Sequence, residues 1–240
     1  CLSARAPAGA GVVLKMRERT RIFAGRREAG GELALELAKL ELPPPVHVLC
    51  LPRGGVPVAA PVARRLSASL DVLVVRKVGM PGQPELAIGA IAAGGVVLHN
   101  TELPMHLVSE RAFEHVVARE REELHRRERV YREGLPPLDL RTGSVVLVDD
   151  GLATGSTMRA AIRAARALGA RTVTVAVPVA SMQAAELVEA EADHLVTLCI
   201  PPWLGSIGEF YESFEQTTDA EVLDHLREQR APDRTTPDGP

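Results

Sequence analysis

Five short apolar runs constrain this chain more than anything else in it: VHVLCL (46–51), DVLVV (71–75), SVVLVD (144–149), TVTVAVPV (172–179) and HLVTLCI (194–200). Each is rich in β-branched residues and nearly continuous in apolarity, the pattern of a strand buried on both faces. Helical patterns fall between them, at about 30–41, 57–68, 155–169 and 181–191. Strands alternating with helices predict an α/β fold, with a mostly parallel central sheet flanked by helices. Gly169 stands where the third of these helices should close, a left-handed cap position that favours glycine.

Two regions break the rhythm. Residues 79–101, GMPGQPELAIGAIAAGGVVLHN with its flanks, carry glycines and prolines that suit a mobile hairpin-like excursion, a candidate lid, better than a crossover helix. The stretch 109–134 then reads as one long charged helix. Its Glu122–Arg126, Glu123–Arg127 and Glu128–Arg132 pairs are in the favourable i,i+4 order, and a narrow apolar stripe of Phe113, Val117, Leu124 and Tyr131 is expected to serve packing or dimer contacts.

At 240 residues, 46% hydrophobic and 25% charged, the chain has material for one good-sized core. A single domain over 16–230 is expected. The segment before Met16 lacks periodicity and reads as an unstructured leader (1–15) without the grammar of a signal peptide, and 231–240 reads as a polar, proline-rich tail. A net charge of -3 argues against a face given over to nucleic acid, so any anionic ligand must be met by a few placed cations. Three cysteines at unrelated spacings suggest a reduced, cytoplasmic protein, and no apolar run reaches the roughly 18 residues of a membrane span.

The chemistry gathers at VVLVDDGLATGST (145–157). Its strand delivers Asp149 and Asp150 to the carboxyl end of the sheet, where open α/β folds place their ligands. An ionised acid out of water needs a partner. The loop then turns into a helix, so backbone amides and the positive end of the helix dipole face outward together, a ready site for phosphate. Thr154, Ser156 and Thr157 add hydroxyl donors, and Gly155 permits close backbone approach. A ribose 5-phosphate suits this pairing of acids with an oxyanion cradle. The lysine of a GxxxxGK[ST] loop and the spacing of GxGxxG are both missing, while an acidic cap with a tight turn accounts for one acid and one threonine but not for the whole string.

The string resembles the phosphoribosyl-pyrophosphate (PRPP) motif of type I phosphoribosyltransferases. LPRGGVPVA, DVLVVRKVG, QPELAIGAI and YESFEQTTD resemble, more narrowly, a group of bacterial phosphoribosyltransferase-like proteins of undefined acceptor, a likeness running from about residue 20 to 228. The resemblance implies a type I phosphoribosyltransferase-like fold with a flexible lid (79–101) and a small C-terminal hood (200–219). It implies that Asp149 and Asp150 hold the ribose hydroxyls and that Ala153, Thr154, Gly155, Ser156 and Thr157 hold the 5-phosphate. Arg53, Gly54 and Gly55 match the family's pyrophosphate loop, and Arg76 and Lys77 match its basic pyrophosphate contacts, although two cations could equally be leaving a buried strand for solvent. Mg2+ is implied by the substrate, with no direct protein ligand expected beyond Asp149 or Asp150 through water. Glu85 is a candidate proton acceptor in the lid or else a surface glutamate.

For the acceptor, alanine at 153 resembles adenine transferases more than 6-oxopurine ones, which weakens hypoxanthine and guanine without establishing adenine. Trp203, Phe210 and Tyr211 form the candidate acceptor hood, with a packing clamp over the strand ends the plainer reading, especially for Trp203. The expectation is a homodimeric phosphoribosyltransferase that uses Mg-PRPP and an unidentified nitrogenous acceptor, with neither nucleic acid nor membrane as partner. The alternatives are a non-catalytic PRPP-binding sensor on the same fold, or a binding module once fused to a hydrolase that would lie outside this chain.

Overall fold

A computed structural model describes residues 13–15, 21–99 and 109–230. A six-stranded, all-parallel sheet runs through its centre in the order β1-β9-β8-β7-β2-β3. The strands are β1 (Val13–Lys15), β2 (Val46–Cys50), β3 (Ser69–Val72), β7 (Ser144–Val148), β8 (Thr172–Val179) and β9 (His194–Cys199). Between β3 and β7 the chain makes a second sheet, three antiparallel strands β4 (Val75–Met80), β5 (Gln83–Ala92) and β6 (Val96–His99). The helices are α1 (Arg26–Leu37), α2 (Gly55–Arg65), α3 (Glu110–Arg132), α4 (Ser156–Ala167), α5 (Met182–Glu189) and α6 (Asp219–Arg230).

Both faces of the central sheet are covered, as the apolar runs require. Successive residues of one strand point to opposite faces. Val48 and Cys50, with Val146 and Val148, pack against α1, α2 and α6, whereas Leu49, Val145 and Leu147 pack against α4 and α5. Every residue of β7 is buried. Gly169 adopts φ 103° just beyond α4, and its amide reaches the Arg166 carbonyl at 3.0 Å, the glycine stop expected there.

Three boundaries differ from the sequence expectation. The run 71–75 is not one strand: β3 ends at Val72, the buried Leu73 and Val74 make the crossing, and Val75 begins the antiparallel sheet. Helix α1 starts at Arg26, with Gly30 inside it, because α1 and α2 cross closely. A Cβ at Gly30 would lie 2.3 Å from the Val58 carbonyl oxygen. Val13–Lys15, placed in an unstructured leader by the sequence, pair in parallel with Leu195–Thr197 as an edge strand. The rest of that leader and the tail at 231–240 lie outside the described residues.

On α3 the stripe of Phe113, Val117, Leu124 and Tyr131 is buried, joined by Val116 and Glu120. The expected charge ladder is re-dealt. Glu123 takes both Arg126 and Arg127, each at 2.7 Å, while Arg132 leaves the helix surface to grip Asp71 at the end of β3 at 3.0 Å. A carboxylate fixed at a strand end is a better partner for a guanidinium fork than a mobile neighbour on the helix. No helix of the described residues is long and apolar enough to cross a membrane.

Candidate active site

Strands β2 and β7 lie side by side, Cys50 in register with Val148, yet the helices that follow them leave on opposite faces of the sheet. That divergence opens a crevice beyond the two strand ends, the switch point where open α/β sheets bind ligands. One lip is Leu51–Gly55 and the other is Asp149–Ser156.

The two lips touch. A Cβ at Gly54 would sit 2.1 Å from Asp150 Oδ2, and one at Gly55 would sit 2.7 Å from the Val148 carbonyl oxygen and 3.0 Å from Asp149 Cα. Gly54 has helical torsions (φ -60°), so it is space and not backbone freedom that demands glycine there. The Pro52–Arg53 peptide ahead of it is cis. Bare backbone at 54–55 therefore lies directly against the acid pair.

Both acids are poorly served by the protein alone. Asp149 Oδ1 accepts the Asp150 amide at 2.9 Å, and Asp150 Oδ2 accepts Arg26 Nε at 2.9 Å. Burial, then the neighbouring Asp150 charge, pushes the Asp149 carboxyl well above the ordinary range. Burial raises Asp150 too, against the opposing pull of Arg26. Two such carboxyls gain from hydroxyl donors or a cation brought by a ligand.

The loop after them is tied down from behind. Leu152 is buried, its amide donates to the Val179 carbonyl at 2.9 Å, and Ser181 Oγ donates to the Ala153 carbonyl at 2.7 Å. With its base fixed on β8, the loop shows Ala153 and Thr154 to solvent. Gly155 takes φ 73° as the cap of α4, and Thr154 Oγ1 lies 3.2 Å from Ser156 Oγ. Ser156 and Thr157 occupy the first turn of α4, whose amides have no acceptor inside the helix. The expected anion cradle and the expected acids thus face one crevice.

The other expected residues divide. Arg76 and Lys77 are neighbours on a strand, so their side chains leave it in different directions, although both line a cavity between β4 and α3. Both lie on β4, where Arg76 turns to α3 and binds Glu120 at 2.6 Å, while Lys77 lines a small recess with Ser156, Arg159 and Arg163 of α4. Arg53 stands at the crevice with its guanidinium 3.7 Å from Asp219 at the start of α6. Glu85 lies on β5, and its side chain is outside the described residues.

The hood is corrected in its parts. Phe210 and Tyr211 are buried, 4% and 6% exposed, so neither shows a ring face to solvent. Tyr211 instead donates its hydroxyl to the Asp150 carbonyl at 2.7 Å and stacks on Phe214 at 5.0 Å. Trp203, for which packing is the plainer sequence reading, is 77% exposed. Sequence reasoning missed Arg26 and Phe214. The available signal was a cation in the first turn of a helix, where it opposes the dipole and needs a reason to be there.

An open α/β sheet with paired acids and a glycine-hydroxyl loop at its switch point is the arrangement in which such folds place their ligands. Residues 36–212 match the phosphoribosyl transferase domain family, and the chain belongs to that family. It is similar to the Thermus thermophilus protein TT1426, whose crystal structure superposes with a TM-score of 0.79 at 44% identity over 87% of this chain and 99% of that one. It is also 44% identical over 208 residues to a Mycobacterium tuberculosis protein named "putative phosphoribosyl transferase", covering 86% of this chain and 46% of that protein. The chain thus spans about half the length of the curated relatives it matches.

Proposed function

We propose that the chain binds PRPP with Mg2+ and transfers the phosphoribosyl group to a nitrogenous acceptor, releasing pyrophosphate. The observation that carries this reading is the contact between the side-chain-free Gly54–Gly55 backbone and the Asp149–Asp150 pair. It joins a place for a diphosphate to a place for a diol, with a 5-phosphate cradle beyond.

Each acid keeps one oxygen clear of the contacts described, Asp149 Oδ2 and Asp150 Oδ1, which suits two vicinal ribose hydroxyls. Mg2+ would be held mainly by substrate oxygens and water, with Asp149 or Asp150 reached through water. Bound there, the ion would neutralise charge on the departing diphosphate. Ser156, Thr157 and the first amides of α4 hold the 5-phosphate and fix the sugar. Arg53 exchanges Asp219 for the diphosphate at little energetic cost, because that pair is long and partly exposed. Positioning of this kind, together with anionic groups near a sugar that develops positive charge, is where the rate enhancement arises.

The β4–β6 sheet covers the crevice and excludes water, with Lys77 at its α4 side and Glu85 the candidate to accept the acceptor's proton. Trp203 offers an exposed face on which an acceptor ring can stack. The proposal places this chemistry in a cytoplasmic homodimer.

The test is pyrophosphate release from Mg-PRPP over purines, pyrimidines, pyridine carboxylates and simple amines, with Asp149→Asn/Asp150→Asn as the control. Release that needs one acceptor and vanishes in the double variant is expected. Binding of PRPP that survives in the folded double variant would overturn the site, and binding without release for any acceptor would favour the sensor reading.

A further inference from the structure

Arg26 has no assigned role, and its surroundings are unusual for a structural arginine. It is the first residue of α1, at the end of the helix where the dipole disfavours a cation. Its side chain is only 11% exposed, and three partners converge on it. Nε donates to Asp150 Oδ2 at 2.9 Å, Nη1 donates to the Glu215 carbonyl at 2.9 Å, and the guanidinium lies over the Phe214 ring at 3.8 Å.

These contacts join one lip of the crevice to a segment that the sheet does not connect to it. Asp150 belongs to the end of β7, whereas Phe214 and Glu215 belong to the segment after β9. That segment is already strapped to the chain ahead of α1: the Phe23 amide donates to the Phe210 carbonyl and the Glu212 amide to the Phe23 carbonyl, each at 2.8 Å. Tyr211 closes the same circuit by donating to the Asp150 backbone. With Oδ2 held by Arg26, the carboxylate cannot rotate freely, and Oδ1 is the oxygen left for a ligand.

We propose that Arg26 is a positioning residue of the transferase site, fixing the Asp150 carboxylate for a ribose hydroxyl and tying it to the 210–215 wall. The inference rests on the function proposed above and goes beyond it by giving the sugar subsite a determinant outside the motif loop. A planar guanidinium is suited to this task because it donates in two directions while stacking on a ring, whereas an ammonium can keep the charge pairing but not all three contacts.

The experiment measures binding of PRPP, ribose 5-phosphate and pyrophosphate, each with Mg2+, to the parent chain and to Arg26→Met and Arg26→Lys. Methionine keeps an apolar stem over Phe214 and removes every donor. Arg26→Met should weaken PRPP and ribose 5-phosphate by about tenfold or more, the loss of a charge-assisted hydrogen bond, and leave pyrophosphate affinity in place. Arg26→Lys should recover much of the loss. A merely structural staple would weaken sugar and pyrophosphate ligands alike and would not be rescued through the charge.

The inference is overturned if folded Arg26→Met binds ribose 5-phosphate like the parent, if all three ligands weaken together, or if lysine restores nothing. Should Arg26→Met fail to fold, Phe214→Leu serves instead: it leaves the carboxylate its partner, removes the ring that holds the guanidinium, and should produce a smaller loss confined to the sugar ligands. Unchanged sugar affinity there would equally overturn the inference. A parent chain that binds neither PRPP nor ribose 5-phosphate would remove the proposed function itself, whereas parent binding with an indifferent Arg26→Met removes only the role of Arg26.

Discussion

The crevice and the sheet that flanks it are built on opposite principles. The crevice grows from β2 and β7, interior strands hydrogen-bonded on both sides, with β7 buried along its whole length. The β4–β6 sheet has three strands, and along β4 only Val78 is fully buried. It is attached by side chains, through Phe113 stacked on His99 at 4.4 Å and through the Arg76–Glu120 pair. Apolar burial is the main source of local stability. The second sheet joins the core through Val78 and the far half of β5, where Ile88, Ala90, Ile91 and Ala92 are buried, so under the proposed function the crevice positions the ligand and the more exposed β4 side covers it.

Three substitutions sharpen or break that contrast. The largest effect should come from Gly54→Ala, whose new methyl would lie 2.1 Å from Asp150 Oδ2. The Asp150 carboxylate must be pushed out of its place, so PRPP affinity should fall by about a hundredfold, with a drop in thermal midpoint. Titration calorimetry showing parent-like affinity would mean that the crevice yields easily, and the comparison would collapse.

A smaller and differently placed effect is expected from Arg76→Ala. It leaves Glu120, 9% exposed, with the exposed Arg119 as its remaining ion-pair partner among the described residues. The loss, about 1–2 kcal/mol, should appear in hydrogen exchange as faster opening of β4–β6 amides with β7 and β8 unaffected. Uniform acceleration across both sheets would show that they open as one unit.

The smallest effect belongs to Glu123→Gln on the exposed face of α3. Arg126 and Arg127 hold the Glu123 carboxyl down at about 2. A depressed carboxyl adds stability above its unfolded value, and that contribution is lost as pH falls from the ordinary carboxylate range towards 2. At neutral pH the variant should lose no more than about 0.5 kcal/mol, as expected of a solvated pair. Parent and variant melting curves should converge in acid, and a gap that widens there would have the sign wrong.

Much of this molecule was legible in the chain. Five apolar runs predicted a buried parallel sheet, and four of them are single strands close to the expected bounds. The Asp-Asp and Thr-Gly-Ser-Thr string marked one lip of the crevice because its chemistry is local: strand, acids, glycine and helix start follow one another along the backbone. Gly54 and Gly55 were found beside a strand end for the same reason.

What failed to show was whatever depends on the direction a side chain takes once elements pack. Arg76 and Lys77 read as a cationic pair; Arg76 is spent on Glu120 of α3, and Lys77 reaches the space between α3 and α4. Phe210 and Tyr211 read as either an acceptor hood or a packing clamp, and the strap between 23 and 210–212 draws them inward, on the packing side of that choice. Arg26 carried no motif at all, since its meaning lies in an acid 124 residues away.

By itself the sequence determined the alternation of buried strands and helices, and the loop able to cradle an oxyanion beside two acids. Both follow from short-range periodicity and backbone torsion, which neighbouring residues set among themselves. Only the tertiary structure decided that bare glycine backbone lies against those acids, that residues 75–99 form a three-stranded sheet docked on α3 and α4, and that Arg26 and Tyr211 hold Asp150 from outside the motif. Those arrangements depend on which surfaces are buried together, and burial is a property of the folded chain as a whole.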